Sequence, residues 1–126
     1  MFSHVALGTN DPQKSKVFYD ALFAAIGGNP GYDAGSAIVY QHAGASFIVT
    51  RPINGAEACH ANGGTIGFAM ASPEQTDAWH AAGVANGGTT CEDPPGPRDM
   101  GKMKLYLAYL RDPDGNKLCG MFPLGQ

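Results

Sequence analysis

The sequence predicts an α+β fold made of two similar modules, each with a strand, a helix and up to three further strands. The chain repeats itself at offsets of 60 to 61 residues, which place Thr65 under His4, Pro73 under Pro12 and Gly87-Gly88 under Gly27-Gly28. One helix per four strands is too few for alternating βαβ units. The 18 glycines often stand where strands meet turns. We therefore predict a single domain with modules over about residues 1–55 and 62–126.

The first module begins with the strand "FSHVALG" and continues with a helix over residues 12–26. Asp11 is a suitable N-cap, Pro12 suits the first helical position, and Gly27-Gly28 ends the helix. One helical face is predicted to be apolar, with Val17, Phe18, Ala21, Leu22, Ala25 and Ile26. The segments "SAIVYQH" and "ASFIVTR", separated by Ala43 and Gly44, are typical of a β-hairpin.

The second module repeats this order after a linker rich in glycine and alanine. The strand "TIGFAM" precedes a helix over residues 73–86, where Ser72 and Gln75 form a capping box. A weak strand around "TTCED" and a proline-rich loop, "PPGPRDMGK", come next. The strands "LYLAYLR" and "KLCGMF" end the module and are joined by the turn "DPDGN", whose residues are typical of turn chemistry rather than catalysis.

Composition excludes several classes of partner. The net charge is −3, and the eight Lys and Arg residues are scattered apart from "GKMK", which argues against a nucleic-acid surface. Apolar runs are far shorter than the roughly 20 residues that span a bilayer, so no membrane partner is expected. The N-terminus lacks export features, which predicts a cytoplasmic protein. The three cysteines, Cys59, Cys91 and Cys119, form no CxxC pair and are expected to be free thiols.

The duplicated module and the segment "RDPDGNKL" after an aromatic-rich strand resemble the vicinal oxygen chelate superfamily. This superfamily includes glyoxalase I, extradiol dioxygenases, and fosfomycin- and bleomycin-resistance proteins. The resemblance covers nearly the whole chain. It implies that the two βαβββ modules form a half-open, barrel-like cup that receives a small-molecule ligand. It also implies a symmetric homodimer.

The resemblance breaks at the metal site. In metal-dependent members, histidines and carboxylates hold a divalent ion such as Zn, Ni, Mn or Fe, which chelates adjacent oxygens of the substrate. The first-strand histidine is retained as His4. Thr65 stands at the start of the second module, where the metal-dependent members have a histidine. Cys119 stands where those members have a glutamate in the last strand. Ile48 stands at the remaining ligand position, in the last strand of the first module. His4 is thus the only retained ligand type, and no metal cofactor is expected; a divalent metal is the alternative.

The candidate site residues follow from the same resemblance, except Arg98, which is a candidate because a cation in the loop before "LYLAYLR" could reach an anionic substrate. His4 and Tyr109 are the catalytic candidates, and the substrate-binding candidates are Thr65, Leu107, Tyr109, Cys119 and Arg98. Tyr109 stands three residues before Asp112, where fosfomycin-resistance relatives place a tyrosine that contacts the substrate. Each candidate has a structural alternative: core packing for His4, Tyr109 and Cys119, and a solvated loop charge for Arg98 and its neighbour Lys102.

Three functions remain open at this point. The preferred interpretation is a small-molecule-binding protein of this superfamily that lacks the usual metal site. The alternative is a metal-dependent glyoxalase-like lyase or a dioxygenase that acts on a small oxygenated substrate. A structural or interaction domain with a filled cavity is the third interpretation, because fold alone does not choose among them. The sequence therefore leaves open whether the chain is an enzyme.

Overall fold

The computed structural model describes residues 1–125, which contain two helices and nine strands. The first module comprises β1 (His4–Gly8), α1 (Pro12–Ala25), β2 (Tyr32–Asp33), β3 (Ala37–His42) and β4 (Ala45–Thr50). The second module comprises β5 (Ile66–Ala69), α2 (Pro73–Ala85), β6 (Thr89–Thr90), β7 (Gly96–Met100), β8 (Met103–Arg111) and β9 (Lys117–Gly125). Neither helix in this part of the chain is long and apolar enough to cross a membrane.

The two modules have the same strand order. The first sheet has the order β2-β3-β4-β1, and β1 runs parallel to β4. The second has the order β5-β9-β8, with β6 and β7 both paired to the far side of β8, and β5 runs parallel to β9. Each module therefore places its first strand beside its last, which confirms the α+β fold of two βαβββ modules. The sheets are separate and do not close into a barrel.

Both helices begin at the predicted caps. The Asp11 carboxylate accepts a hydrogen bond from the backbone N–H of Lys14, and the Ser72 hydroxyl accepts one from that of Gln75. The Gln75 amide oxygen in turn accepts from the N–H of Ala71, one residue before the cap. These bonds satisfy N–H groups that have no partner inside a helix. The duplicated caps explain why the two helices start 61 residues apart.

The core is rich in aromatic residues and lies between the helices and the sheets. Its largest buried members are Phe18, Tyr19, Phe23, Tyr40, Phe47 and Trp79. The predicted apolar face of α1 was partly wrong: Val17 is 59% exposed, whereas Tyr19 and Phe23 are buried. Because α1 packs against both α2 and the first sheet, its buried surface extends toward Tyr19 and Phe23 and away from Val17.

Two short strands differ from the sequence predictions. The proline-rich segment was predicted to be a loop, but its residues 96–100 form β7, so Arg98 lies in a strand. Pro97 is tolerated there because β7 pairs only with β8, and an edge strand does not need every N–H. The two-residue strand β2, at the edge of the first sheet, had no clear signal in the sequence.

The "DPDGN" turn joins the two modules through a cluster that we call the clasp: Tyr19, Asp112, Asp114 and Asn116. The Asp112 carboxylate accepts hydrogen bonds from the Tyr19 hydroxyl at 2.6 Å and from the Asn116 side chain at 2.9 Å. The Asn116 amide also donates to the carbonyl oxygen of Gly8, at the end of β1. The turn residues are therefore structural, as predicted, and they hold the second module against the first.

Candidate functional site

The candidate site lies on the face of the second sheet that points away from the helices, which we call the outer face. Ala108, Leu110 and Leu118 belong to the core beneath the helices. Since side chains alternate along a strand, the neighbouring residues of β8 and β9 point to the opposite side. The ladder pairs Leu107 with Met121 and Tyr109 with Cys119, so these four side chains form one contiguous, mainly apolar surface: Leu107, Tyr109, Cys119 and Met121.

Cys119 and Leu107 are the two buried members of this surface. The Cys119 side chain is only 8% exposed, and its thiol donates to the carbonyl oxygen of Gly120 at 3.6 Å. Burial raises the pKa of the Cys119 thiol, although Tyr109 and the cations of Lys117 and Arg98 partly offset this effect. A protonated thiol is a poor nucleophile and a poor metal ligand. The environment of Cys119 therefore favours packing over reactivity.

Tyr109 supplies the polar group of the outer face. Burial raises the pKa of its phenol, and the neighbouring Cys119 raises it further. The group therefore stays a neutral hydroxyl, which both donates and accepts hydrogen bonds. The ammonium of Lys117 lies 5.0 Å from the centroid of the Tyr109 ring, within range of a cation–π interaction. One face of the ring is thus covered by a cation.

The cations beside Tyr109 are already engaged by the protein. Lys117 forms an ion pair with Glu92. The guanidinium of Arg98 turns back onto its own loop and donates to three carbonyl oxygens at 3.0 to 3.1 Å, those of Gly96, Asp93 and Pro94. These contacts hold Arg98 against the loop "DPPG" rather than leaving its donors free for an anionic ligand.

His4 lies in the other sheet, whereas Thr65 adjoins the outer face beside Lys117. His4 is exposed on β1 in the other sheet, and its Nδ1 is 2.8 Å from the hydroxyl of Ser3. Thr65 is exposed just before β5 and lines a recess of about 120 Å³ with Leu7 and Lys117. The structure thus brings together Tyr109, Leu107 and Cys119, places Arg98 in the neighbouring strand and Thr65 beside Lys117, and places His4 in the other sheet.

The strand registers show which residues of the two modules occupy equivalent positions. In the first module His4 pairs with Ser46, two residues before Ile48. In the second module Ile66 pairs with Leu118, so Thr65 aligns with Lys117, two residues before Cys119. His4 and Thr65 are therefore equivalent, and so are Ile48 and Cys119.

The donors at these four positions do not fit a divalent ion. Ile48 has no donor atom, a threonine hydroxyl is a weak ligand, and the pKa of the Cys119 thiol is raised by burial. Only the imidazole of His4 is a good ligand. Among residues 1–125, no three His, Cys, Asp or Glu side chains are grouped closely enough to hold a metal ion.

Sequence reasoning missed the group that surrounds Tyr109. Lys117 stands two residues before Cys119, so strand alternation alone places both side chains on the outer face. Cys91 donates its backbone N–H to the carbonyl oxygen of Tyr109 at 3.4 Å. Glu92 and Cys91 had no such signal, because their place beside β8 depends on the irregular path between β6 and β7.

The chain is similar to known proteins in both sequence and structure. The profile of the Glyoxalase/Bleomycin resistance protein/Dioxygenase superfamily matches residues 1–119. A crystal structure of a glyoxalase/bleomycin resistance protein from Albidiferax ferrireducens T118 is 59% identical, with a TM-score of 0.92, and the match covers 95% of this chain and 97% of that one. No match was found among curated proteins.

More distant structures share the fold. A glyoxalase-related enzyme from Fulvimarina pelagi is 19% identical with a TM-score of 0.75, over 97% of this chain and 87% of that one. A glyoxalase/bleomycin resistance protein/dioxygenase family enzyme from Burkholderia phytofirmans PsJN is 17% identical with a TM-score of 0.72, over 94% and 95%. At this level of identity the likeness shows a shared fold and nothing further.

Proposed function

This chain belongs to the Glyoxalase/Bleomycin resistance protein/Dioxygenase superfamily, and from that premise we propose that it is a small-molecule-binding protein of the superfamily that lacks the usual metal site. The observation that carries the proposal is the pairing of Tyr109 with Cys119 on the outer face. A buried thiol with a raised pKa stands where metal-dependent members have a carboxylate. The face is therefore suited to contact a ligand rather than to polarise one through an ion.

The chemistry of the outer face points to a neutral, largely aromatic ligand. Leu107 is only 6% exposed, so Met121 and the ring of Tyr109 offer most of the apolar contact, and the Tyr109 hydroxyl offers one hydrogen bond. The two nearby cations are held internally, Lys117 by Glu92 and Arg98 by backbone carbonyls. An anionic ligand would have to displace these contacts, so we do not assign Arg98 the role of an anion clamp.

The second candidate function is a metal-dependent lyase or dioxygenase, and one observation favours it. His4 is exposed and occupies the position of the first-strand metal ligand. The other three positions carry Ile48, Thr65 and Cys119, whose chemistry does not suit a divalent ion. His4 then acts as a hydrogen-bonding or proton-transfer group beside a bound molecule.

Elemental analysis of the purified protein separates these functions. We expect well under one equivalent of transition metal per chain. In the double variant Thr65→His with Cys119→Glu, the two new side chains and His4 make three ligands of the type that suits Zn²⁺, Ni²⁺ or Mn²⁺. This variant should bind metal measurably. The matched control, Thr65→Ser with Cys119→Ser, changes the same positions and should not. Stoichiometric metal in the parent that is lost in His4→Ala would overturn the proposal.

A thermal-shift assay tests the ligand class. The neutral aromatic probes 2-naphthol and coumarin should raise the melting temperature, because a ligand that binds only the folded state stabilises it. Tyr109→Ala should reduce the shift. Tyr32→Ala is the matched control, because Tyr32 is 71% exposed in the other module, and this variant should keep the shift. Equal shifts in both variants would place the probes elsewhere and count against the outer face.

A further inference from the structure

A second cavity lies on the helix side of the first sheet, away from the outer face. This cleft has a volume of about 270 Å³ and lies where the end of α1, the β3–β4 hairpin and β5 meet. Its walls are almost entirely apolar, and their principal residues are Val5, Phe23, Ile26, Tyr40, Phe47 and Phe68. Three of these, Phe23, Tyr40 and Phe47, also belong to the core, so the cleft extends the core to the surface.

The aromatic walls of the cleft hold one another in place. Phe23 stacks on Tyr40 with ring centroids 4.6 Å apart, and it meets Phe68 edge-on at 5.9 Å. Phe47 lies 5.6 Å from Phe68. Such arrangements are favourable beyond simple burial of area. The walls are therefore preformed, which reduces the ordering cost of binding a flat apolar molecule.

The polar side chains that face the cleft are those of Tyr40 and His42. The hydroxyl of Tyr40 already donates a hydrogen bond to the Asp20 carboxylate at 2.7 Å. His42 also lines the cleft, on the same face of β3 as Tyr40, and its side chain has no hydrogen-bond partner within residues 1–125. The cleft thus has one polar end and an aromatic interior.

We propose that this cleft binds a single-ring aromatic molecule with one hydroxyl group, the ring lying among the phenylalanines and the hydroxyl meeting His42. The volume supports this class. A dry apolar cavity of about 150 Å³ accepts benzene, and larger ligands occupy pockets of roughly 300–1,000 Å³. A cleft of about 270 Å³ therefore has room for one ring and a small substituent.

Ala45 provides a way to block the cleft selectively. It is exposed, lines the cleft, and shares its face of β4 with Phe47, two residues later. The substitution Ala45→Phe should therefore place a ring in the cleft. Ala81 is also exposed, but it lies on α2 and does not line the cleft, so Ala81→Phe adds the same side chain elsewhere.

Fluorine NMR with 4-fluorophenol and fluorobenzene tests the proposal. We expect the protein to broaden both signals. Ala45→Phe should weaken binding of both probes at least tenfold, and Ala81→Phe should change it less than twofold. His42→Ala should weaken 4-fluorophenol about fivefold, the effect of one hydrogen bond, and leave fluorobenzene within twofold.

Each alternative result is decisive. If the parent broadens neither probe, or if Ala45→Phe binds as well as Ala81→Phe, the cleft is not a ligand site. If His42→Ala weakens both probes equally, the assigned polar end is wrong. Circular dichroism of each variant establishes that it is folded. Should Ala45→Phe fail to fold, the difference between the two probes in His42→Ala decides the question.

Discussion

At the scale of single residues, Asp112 is the one buried charged side chain among residues 1–125. Its carboxylate is 3% exposed and accepts hydrogen bonds from the Tyr19 hydroxyl, the Asn116 amide and the backbone N–H groups of Asp114 and Asn116. Burial nevertheless raises the pKa of Asp112, because the cost of desolvating the charge exceeds the gain from these donors. The clasp is therefore sensitive to the loss of any one donor.

The variant Tyr19→Phe removes one donor from this carboxylate. A hydrogen bond to a charged group contributes about 1.5–3 kcal/mol, so we expect the free energy of unfolding in urea to fall by about that amount at pH 7. Tyr32→Phe is the control, because Tyr32 is exposed. An equal effect of the two variants would show that the clasp bond contributes nothing.

The same variant has a predictable pH dependence. The pKa of Asp112 is higher in the folded protein than in the unfolded chain. The contribution of Asp112 to stability therefore decreases as pH rises from its unfolded-state pKa through its folded-state pKa. The Tyr19 bond lowers the pKa of Asp112, so its removal raises that pKa further. The destabilisation by Tyr19→Phe should therefore be greater at pH 7 than at pH 4. A penalty that is larger at pH 4 would contradict this assignment.

Cys119 gives a second prediction at this scale. Cys59 is exposed, whereas Cys119 is buried and burial raises its pKa. Because the thiolate is the reactive form, iodoacetamide at pH 8 should alkylate Cys59 at least tenfold faster than Cys119. Peptide mass spectrometry measures both rates in one sample, and unfolding in urea should remove the difference. Comparable rates in the folded protein would show that Cys119 is accessible and revive its candidacy as a reactive group.

At the scale of elements, α2 is fitted closely to its neighbours where it ends. A Cβ atom added at Gly88 would lie 2.3 Å from the ring of Phe18 and 3.0 Å or less from the carbonyl oxygens of Gly83 and Arg111. Two of these neighbours are backbone atoms that cannot move alone. The glycine is thus required by close approach of the end of α2 to α1 and β8.

Gly88→Ala should therefore destabilise the protein by about 1–3 kcal/mol, the usual range for overpacking. Gly67 is a matched control, because a Cβ added there meets nothing within 4 Å and its backbone needs no special conformation. Gly67→Ala should change the melting temperature little. If thermal unfolding finds the two variants alike, the packing at the end of α2 is looser than described.

The elements also show what the sequence can and cannot predict. Asp11 and Ser72 located both helix starts, because capping is a local interaction. The strand β7 was missed because Pro94, Pro95 and Pro97 signal a loop, and only pairing with β8 makes Pro97 acceptable. The clasp was invisible for the same reason: Tyr19 and Asp112 are 93 residues apart in the sequence. Local signals predicted the modules, whereas contacts between modules needed the structure.

At the scale of the whole molecule, one end of the outer face of the second sheet is exposed and apolar, although Leu107 and Cys119 on the same face are buried. Met103 and Met121 are 57% and 40% exposed there, and with Leu105 and Pro123 they line a groove of about 320 Å³. The first and second sheets also end in the single-partner strands β1 and β5. An exposed apolar face and open strand edges are features that a partner subunit covers.

We therefore propose that a second copy of the chain covers the outer face in a symmetric homodimer and completes the cup around Tyr109. Light scattering after size exclusion at micromolar concentration should give twice the 13.1 kDa mass of one chain. The double variant Met103→Lys with Met121→Lys should shift the protein toward the monomer, because a dimer interface buries these side chains and charges resist burial. Val17→Lys with Val84→Lys changes two exposed helical valines and should leave the mass unchanged. A monomeric parent would contradict the proposal, and a dimer unaffected by the methionine substitutions would place the interface elsewhere.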